Sequence, residues 1–193
     1  MLYLDFDCTI TTVGSLLDGG ASLNVCRNLK TQLTVPDTPT YSITDSRMLE
    51  EVAFGGSARI AAIKRLLNPE PSDRAVPGVT ILSRSPTALV LLGLESVGIR
   101  FDPAYTFGFE KWEDEVPEDA PKWVWVEQHD AAAPRSADPA RPLLLVDDDV
   151  AEAAEFKSRV RSCAFQHVDG GNGLTVHEID ALVQRQQEGG TDE

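Results

Sequence analysis

Residues 143–149 read L-L-L-V-D-D-D: four apolar side chains in a row, stopped by three aspartates. A short apolar run without alternation is the pattern of a strand buried on both faces, as in parallel sheets. The same pattern opens the chain. Leu2 to Phe6 reads as a first buried strand, and it too runs into acids, Asp5 and Asp7. Val79–Leu82, introduced by Pro77-Gly78, is another, and Ser83 follows it. Segments of helical periodicity lie between these runs. Strands alternating with helices predict an α/β fold: a three-layer, open, mostly parallel sheet with helices on both faces. Ligands in such sheets bind beyond the carboxyl ends of the strands. That is where these acids and the serine fall.

The remaining elements are set by punctuation. Asp45 is placed to cap a helix over Ser46–Phe54, with Met48, Leu49 and Val52 on one face and Gly55-Gly56 as its stop. A helix from Ser57 to Leu67 has Ile60, Ile63, Leu66 and Leu67 at helical spacing and Pro69 beyond it. Ser85-Pro86 reads as an N-cap followed by proline at the first helical position, in a helix to about Val97 that Gly98 ends. A short strand is predicted at Tyr105–Phe107, and a helix opened by Pro121 over Lys122–Gln128. After the 143–146 strand come a helix at about Val150–Val160, a strand at Cys163–Val168 and a last helix at Val176–Val183. Residues 11–43, rich in Thr, Gly, Pro and Asn, read as loops and short elements, a hairpin among the options. The expectation is a single core domain over 1–185, with a small cap or loop insertion at about 11–75 and a flexible tail at 186–193.

Composition narrows the function. With 42% hydrophobic residues in 193, the chain can bury a sizeable core. No apolar run approaches the roughly 20 residues of a membrane helix. No basic segment precedes an apolar one at the N-terminus, so a cytoplasmic protein is expected. A net charge of −14 argues against nucleic acid or an anionic membrane as a general partner. Cys8, Cys26 and Cys163 are odd in number and far apart, which fits reduced thiols.

The acids carry the chemistry. If the strands ending at Asp5 and Asp147 are neighbours, up to five carboxylates crowd one sheet edge. Like charges that close raise each other's pKa and cost stability. A hard divalent cation relieves this, and Mg²⁺ usually keeps waters and a substrate phosphate in its shell. The cluster therefore predicts Mg²⁺ and a phosphorylated substrate, small molecule or macromolecule. In a strand, residues two apart point the same way. Two carboxylates spaced D-x-D can then meet one substrate in different roles. One attacks phosphorus and forms an aspartyl-phosphate. The other, protonated, donates to the leaving oxygen and later activates water. A hydroxyl such as Ser83 and a lysine would hold the transferring phosphoryl group.

At these residues the chain resembles the haloacid dehalogenase (HAD) superfamily. Asp5-Phe6-Asp7-Cys8-Thr9 matches its D-x-D-x-T/V signature, Ile81-Leu82-Ser83 its strand ending in Ser or Thr, and Leu143-Leu144-Leu145-Val146-Asp147-Asp148 its four apolar residues and acidic pair. The resemblance implies a Mg²⁺-dependent phosphatase on a HAD-like, Rossmann-like core. It implies Asp5 as nucleophile and metal ligand. Asp7 becomes general acid/base, with its backbone carbonyl on the metal. Thr9 and Ser83 would contact substrate. Asp148 is then the main acidic ligand with Asp147 beside it, and either can be the closer to the metal. The lysine is Lys122, at a predicted helix start, with Lys111 as competitor. A lysine in a first helical turn opposes the helix dipole, by about 0.3–1 kcal/mol, unless an anion faces it. Cys8 sits where the family often has glycine, and the insertion after it is short for a full cap.

Other features point elsewhere or nowhere. A thiol phosphatase needs an arginine six residues after its cysteine, and position 14 is Gly14. Gly170-Gly171-Asn172-Gly173 lacks phosphate-loop spacing and reads as a turn. His129, His167 and His177 lack metal-ligand spacing. Trp123 and Trp125 read as packing residues, and Trp112 as packing or part of a substrate entrance. The alternative function is a catalytically silent HAD-fold protein that binds a partner or phosphorylated ligand. A phospho-receiver domain fits less well, because the residue after the second clear strand is Ser83 rather than an aspartate.

Overall fold

The structure is a computed structural model and describes residues 2–17, 25–28, 40–43, 46–68, 78–108, 121–126, 143–159, 163–169 and 171–188. Five strands form one all-parallel sheet: β1 (Leu2–Leu4), β4 (Val79–Leu82), β5 (Thr106–Phe107), β6 (Leu143–Asp147) and β7 (Cys163–His167). Their order is β5-β4-β1-β6-β7, with β1 in the middle. Two further strands, β2 (Val25–Asn28) and β3 (Thr40–Ile43), make a separate antiparallel pair, the hairpin option for 11–43.

Central placement explains why Leu2-Tyr3-Leu4 shows no alternation. Both of its faces are covered. Leu2 and Leu4 join Val79, Ile81, Leu144 and Val146 in one apolar cluster, whereas Tyr3, Leu82 and Leu145 join Trp125 and Val126 in another. The first cluster is completed by helices α2 (Ser57–Leu67), α3 (Thr87–Ser96) and α6 (Val176–Glu188), through Ile63, Leu66, Leu89, Leu94, Ile179 and Leu182. The second is completed by the short helix α4 (122–126). Helix α5 (Val150–Arg159) lies beside α4, where Trp123 Nε1 donates to Glu155 Oε2 at 3.1 Å. The predicted α/β architecture is therefore present, with a sheet that is wholly parallel.

Local corrections have physical causes. Helix α1 (Ser46–Met48) runs into a π-helical stretch, Leu49–Ala53, and Phe54 N–H closes on Leu49 O at 3.1 Å. This i→i+5 bond shifts the helical phase. Leu49 and Ala53 are buried, and Val52, expected on the buried face, is 45% exposed. Asp45 lies outside the described residues, as do Pro69, Pro77, Lys111, Trp112, residues 127–142 and Gly170. Pro86 is itself the N-cap of α3, one residue later than the predicted cap Ser85, and makes no side-chain cap bond. Ser85 is not the cap; its N–H donates to Ser83 Oγ at 2.9 Å. Helix α6 continues to Glu188, past the predicted start of a loose tail. No described helix is long and apolar enough to cross a membrane.

Candidate active site

Parallel register brings the strand ends together. Leu4 pairs with Ile81 on one side and Val146 on the other. One step on, Asp5 N–H donates to Val146 O at 3.0 Å, which extends the β1–β6 ladder to the first acid. The chain then wraps through one wide turn, Phe6–Ile10, closed by Thr11 N–H on Phe6 O at 2.9 Å and pinned inward by Phe6 and Ile10. Inside it Asp7 is extended (φ −73°, ψ 134°) and Cys8 is left-handed (φ 55°). A non-glycine residue in that region costs roughly 1–2 kcal/mol. The preference for glycine at this position thus has a backbone cause.

Lys122 sits at the centre. Its Nζ donates to Asp5 Oδ1 and to Asp147 Oδ2, both at 2.7 Å, and all three side chains are buried. This places Lys122 in the first turn of α4, facing the anions that offset the unfavourable helix dipole. Its own N–H donates to Glu152 Oε2 at 2.9 Å. Burial opposes the ammonium charge, but Asp5 and Asp147 outweigh it and lift Lys122 above the ordinary lysine range.

The three aspartates after β6 have separate tasks. Asp147 spends Oδ2 on Lys122 and accepts Asp149 N–H on Oδ1 at 2.9 Å. Asp149 caps α5: its Oδ1 accepts Ala151 N–H at 2.8 Å and Glu152 N–H at 3.3 Å. Asp148 is half-buried and, among the described residues, its carboxylate has no partner from another residue. Asp5, Asp147 and Asp148 each offer an oxygen, all within 4.8 Å of one another. That donor set is all hard carboxylate oxygen, the chemistry that suits Mg²⁺. Of the three candidate donors, Asp147 is shared with Lys122, which leaves Asp148 the less committed carboxylate. The Asp7 carboxyl is not one of the three.

Excess negative charge shows in the titration of the site. Burial pushes Asp5 well above the usual carboxylate range, Lys122 pulls it back, and Asp147 and Asp7 push it further up. Burial also raises Asp148, helped by Asp147. Asp7 differs in kind. Its Oδ2 accepts Ser83 Oγ–H at 3.0 Å, while Oδ1 is buried with no hydrogen-bond partner. Burial raises Asp7 against the pull of Ser85 and Ser83. The Cys8 thiol is pushed up to about 11, by burial first and then by Asp148, Asp7 and Asp5, so it stays protonated at neutral pH.

These groups line a cavity of about 220 Å³, walled by Asp5, Asp7, Cys8, Lys122 and Asp147 to Asp149, with Arg84 beside them. Ser83 is fully buried and acts on Asp7 rather than on the cavity wall. Thr9 is also fully buried and is not on the wall. The expected substrate contact from its side chain is therefore not made by this arrangement. The turn instead uses the Thr9 backbone carbonyl, which accepts Leu174 N–H at 2.9 Å and Arg59 Nη2–H at 2.9 Å.

Three residues of the site escaped the sequence reading. Arg84 pairs with Glu152 at the cavity edge. Its signal was adjacency to Ser83. Glu152 stands three residues after the cap Asp149, a spacing typical of helix starts. Arg59, 6% exposed, lies on the apolar face of α2 among Ile60, Ala62 and Ile63, where a cation stands out. Compared with protein-family models, curated proteins and solved structures, the chain gives no match.

Proposed function

We propose that this chain is a Mg²⁺-dependent phosphohydrolase of the HAD type, cleaving a phosphomonoester through an aspartyl-phosphate on Asp5. One observation carries the reading: two carboxyls two residues apart are held by different partners. Asp5 touches a cation and adjoins a candidate metal site. Asp7 Oδ2 accepts from the Ser83 hydroxyl, and burial raises Asp7 against the pull of Ser85, Ser83 and Lys122. A carboxyl held by a cation and a carboxyl held by hydroxyls suit the roles of nucleophile and acid.

Lys122 donates to Asp5 Oδ1, which favours the carboxylate against its burial, and Asp5 supplies the attacking oxygen. An Asp5 oxygen forms a bond to phosphorus as the bond to the leaving oxygen breaks, and protonated Asp7 gives its proton to that oxygen. Asp7, now ionised, takes a proton from water. The water oxygen attacks phosphorus, inorganic phosphate departs, and the Asp5 carboxylate is restored. Lys122 holds Asp5 against Asp147 throughout, and Ser83 holds Asp7. A Mg²⁺ ion held by Asp5, Asp148 and Asp147 would supply charge neutralisation for the phosphoryl oxygens.

The test is turnover of p-nitrophenyl phosphate with Mg²⁺ and with chelator, for wild type and Asp5→Asn. Metal-dependent release that Asp5→Asn abolishes is expected. Equal rates in the two proteins, or no release, would leave the silent, ligand-binding alternative.

A further inference from the structure

Lys122 is the cation expected to meet the phosphoryl group, yet its side chain is 4% exposed and engaged by two carboxylates. Arg84 is the other cation on the cavity wall among the described residues, and its side chain is 49% exposed. It is also fixed in place. Glu152, 5% exposed, accepts Arg84 Nη2–H on Oε1 and Lys122 N–H on Oε2. A buried carboxylate thus couples the accessible cation to the buried one. A guanidinium has donors on more than one edge, so an arginine whose side chain is half exposed can meet an oxyanion while Glu152 holds it. Apart from Cys8 and Gly14, the rest of the described wall is acidic. Among the described residues of the wall, an anionic substrate group beyond the scissile phosphate is repelled by Asp148 and Asp149 and attracted at the accessible Arg84.

We infer that Arg84, positioned by Glu152, forms a second anion subsite at the cavity edge, and that the preferred substrate carries a phosphate or carboxylate beside its phosphomonoester. This rests on the phosphohydrolase reading for the identity of the first group. Inert phosphonates test it without turnover. Methylphosphonate has one anionic group; phosphonoacetate adds a carboxylate and methylenediphosphonate a second phosphonate. Calorimetry with Mg²⁺ would compare the three on wild type, Arg84→Gln and Arg84→Lys.

Wild type is expected to bind at least one two-anion probe about tenfold or more tighter than methylphosphonate, the scale of one charge-assisted contact. The tighter of the two identifies the second group. Arg84→Gln should lose that advantage and Arg84→Lys keep part of it. Equal binding of all three by wild type overturns the subsite. So does an advantage that survives Arg84→Gln, an equal loss on every probe, or no binding at all. Failure of p-nitrophenyl phosphate turnover would instead sink the enzyme reading, while the phosphonates still decide the subsite.

Discussion

Two buried cations lie on either side of the turn that follows β1, and they are held in different ways. Lys122 meets two carboxylates, Asp5 and Asp147. Arg59 meets three backbone carbonyls: Nε donates to Leu174 O at 2.6 Å, Nη1 to Phe54 O at 3.1 Å and Nη2 to Thr9 O at 2.9 Å. Burial lowers the Arg59 guanidinium to about 10, still charged at neutral pH. A cation among carboxylates sets a charge balance that a metal or a phosphoryl group can change. A cation among carbonyls joins segments and leaves the charge of the site alone. Arg59 ties the turn bearing Asp7 to Phe54, just past the π-helical stretch, and to the loop before α6. Gly173 shares this knot: its φ is +61°, and an added Cβ would lie 2.4 Å from Thr11 O.

Four substitutions separate the two regions. Asp5→Asn should have the largest effect, a fall in kcat of about 10⁴-fold or more, the scale seen when a nucleophile is removed; steady-state assay with saturating Mg²⁺ checks it. Lys122→Met leaves Asp5 and Asp147 buried without a cation and should cost about 3–5 kcal/mol of stability. Added Mg²⁺ should raise its Tm more than it raises that of wild type, because the ion replaces part of the missing charge. Urea denaturation with and without the ion measures both effects. Arg59→Lys cannot span three carbonyls and should cost about 1–3 kcal/mol, the price of leaving buried acceptors unpaired. Here the shift in Tm on adding Mg²⁺ should match wild type, and a larger shift would erase the contrast between the regions. Cys8→Gly is the smallest change. It relieves the left-handed backbone but frees the unfolded chain, so stability should stay within about 1 kcal/mol of wild type. Turnover should persist, and its loss would implicate the thiol.

How much of this was legible in the sequence depends on range. Leu143–Val146, Val79–Leu82 and Ser57–Leu67 declared themselves through apolar runs and flanking punctuation, because those signals are local. The meeting of Asp5 with Asp147 followed from strands sharing one sheet edge. Lys122 was legible as a helix-start lysine needing an anion, although its bond to Asp5 spans 117 residues. Arg59 to Leu174 spans 115 residues and Arg84 to Glu152 spans 68, and no local rule announces either. Val52 was misplaced because a π-helical phase shift does not show in a 3.6-residue pattern. Thr9 was expected at the substrate because the resemblance to the D-x-D-x-T/V signature implied it. The left-handed Cys8 between Asp7 and Thr9 turns the chain, and Thr9 is buried.

The central claim is that Asp5 attacks phosphorus. Acid quench of the protein during turnover of a radiolabelled phosphomonoester with Mg²⁺, followed by peptide mapping, tests it most directly. A hydroxylamine-labile label on the peptide containing Asp5, missing in Asp5→Asn, is the predicted result. Turnover with no label on that peptide, or a label that persists in Asp5→Asn, would contradict it.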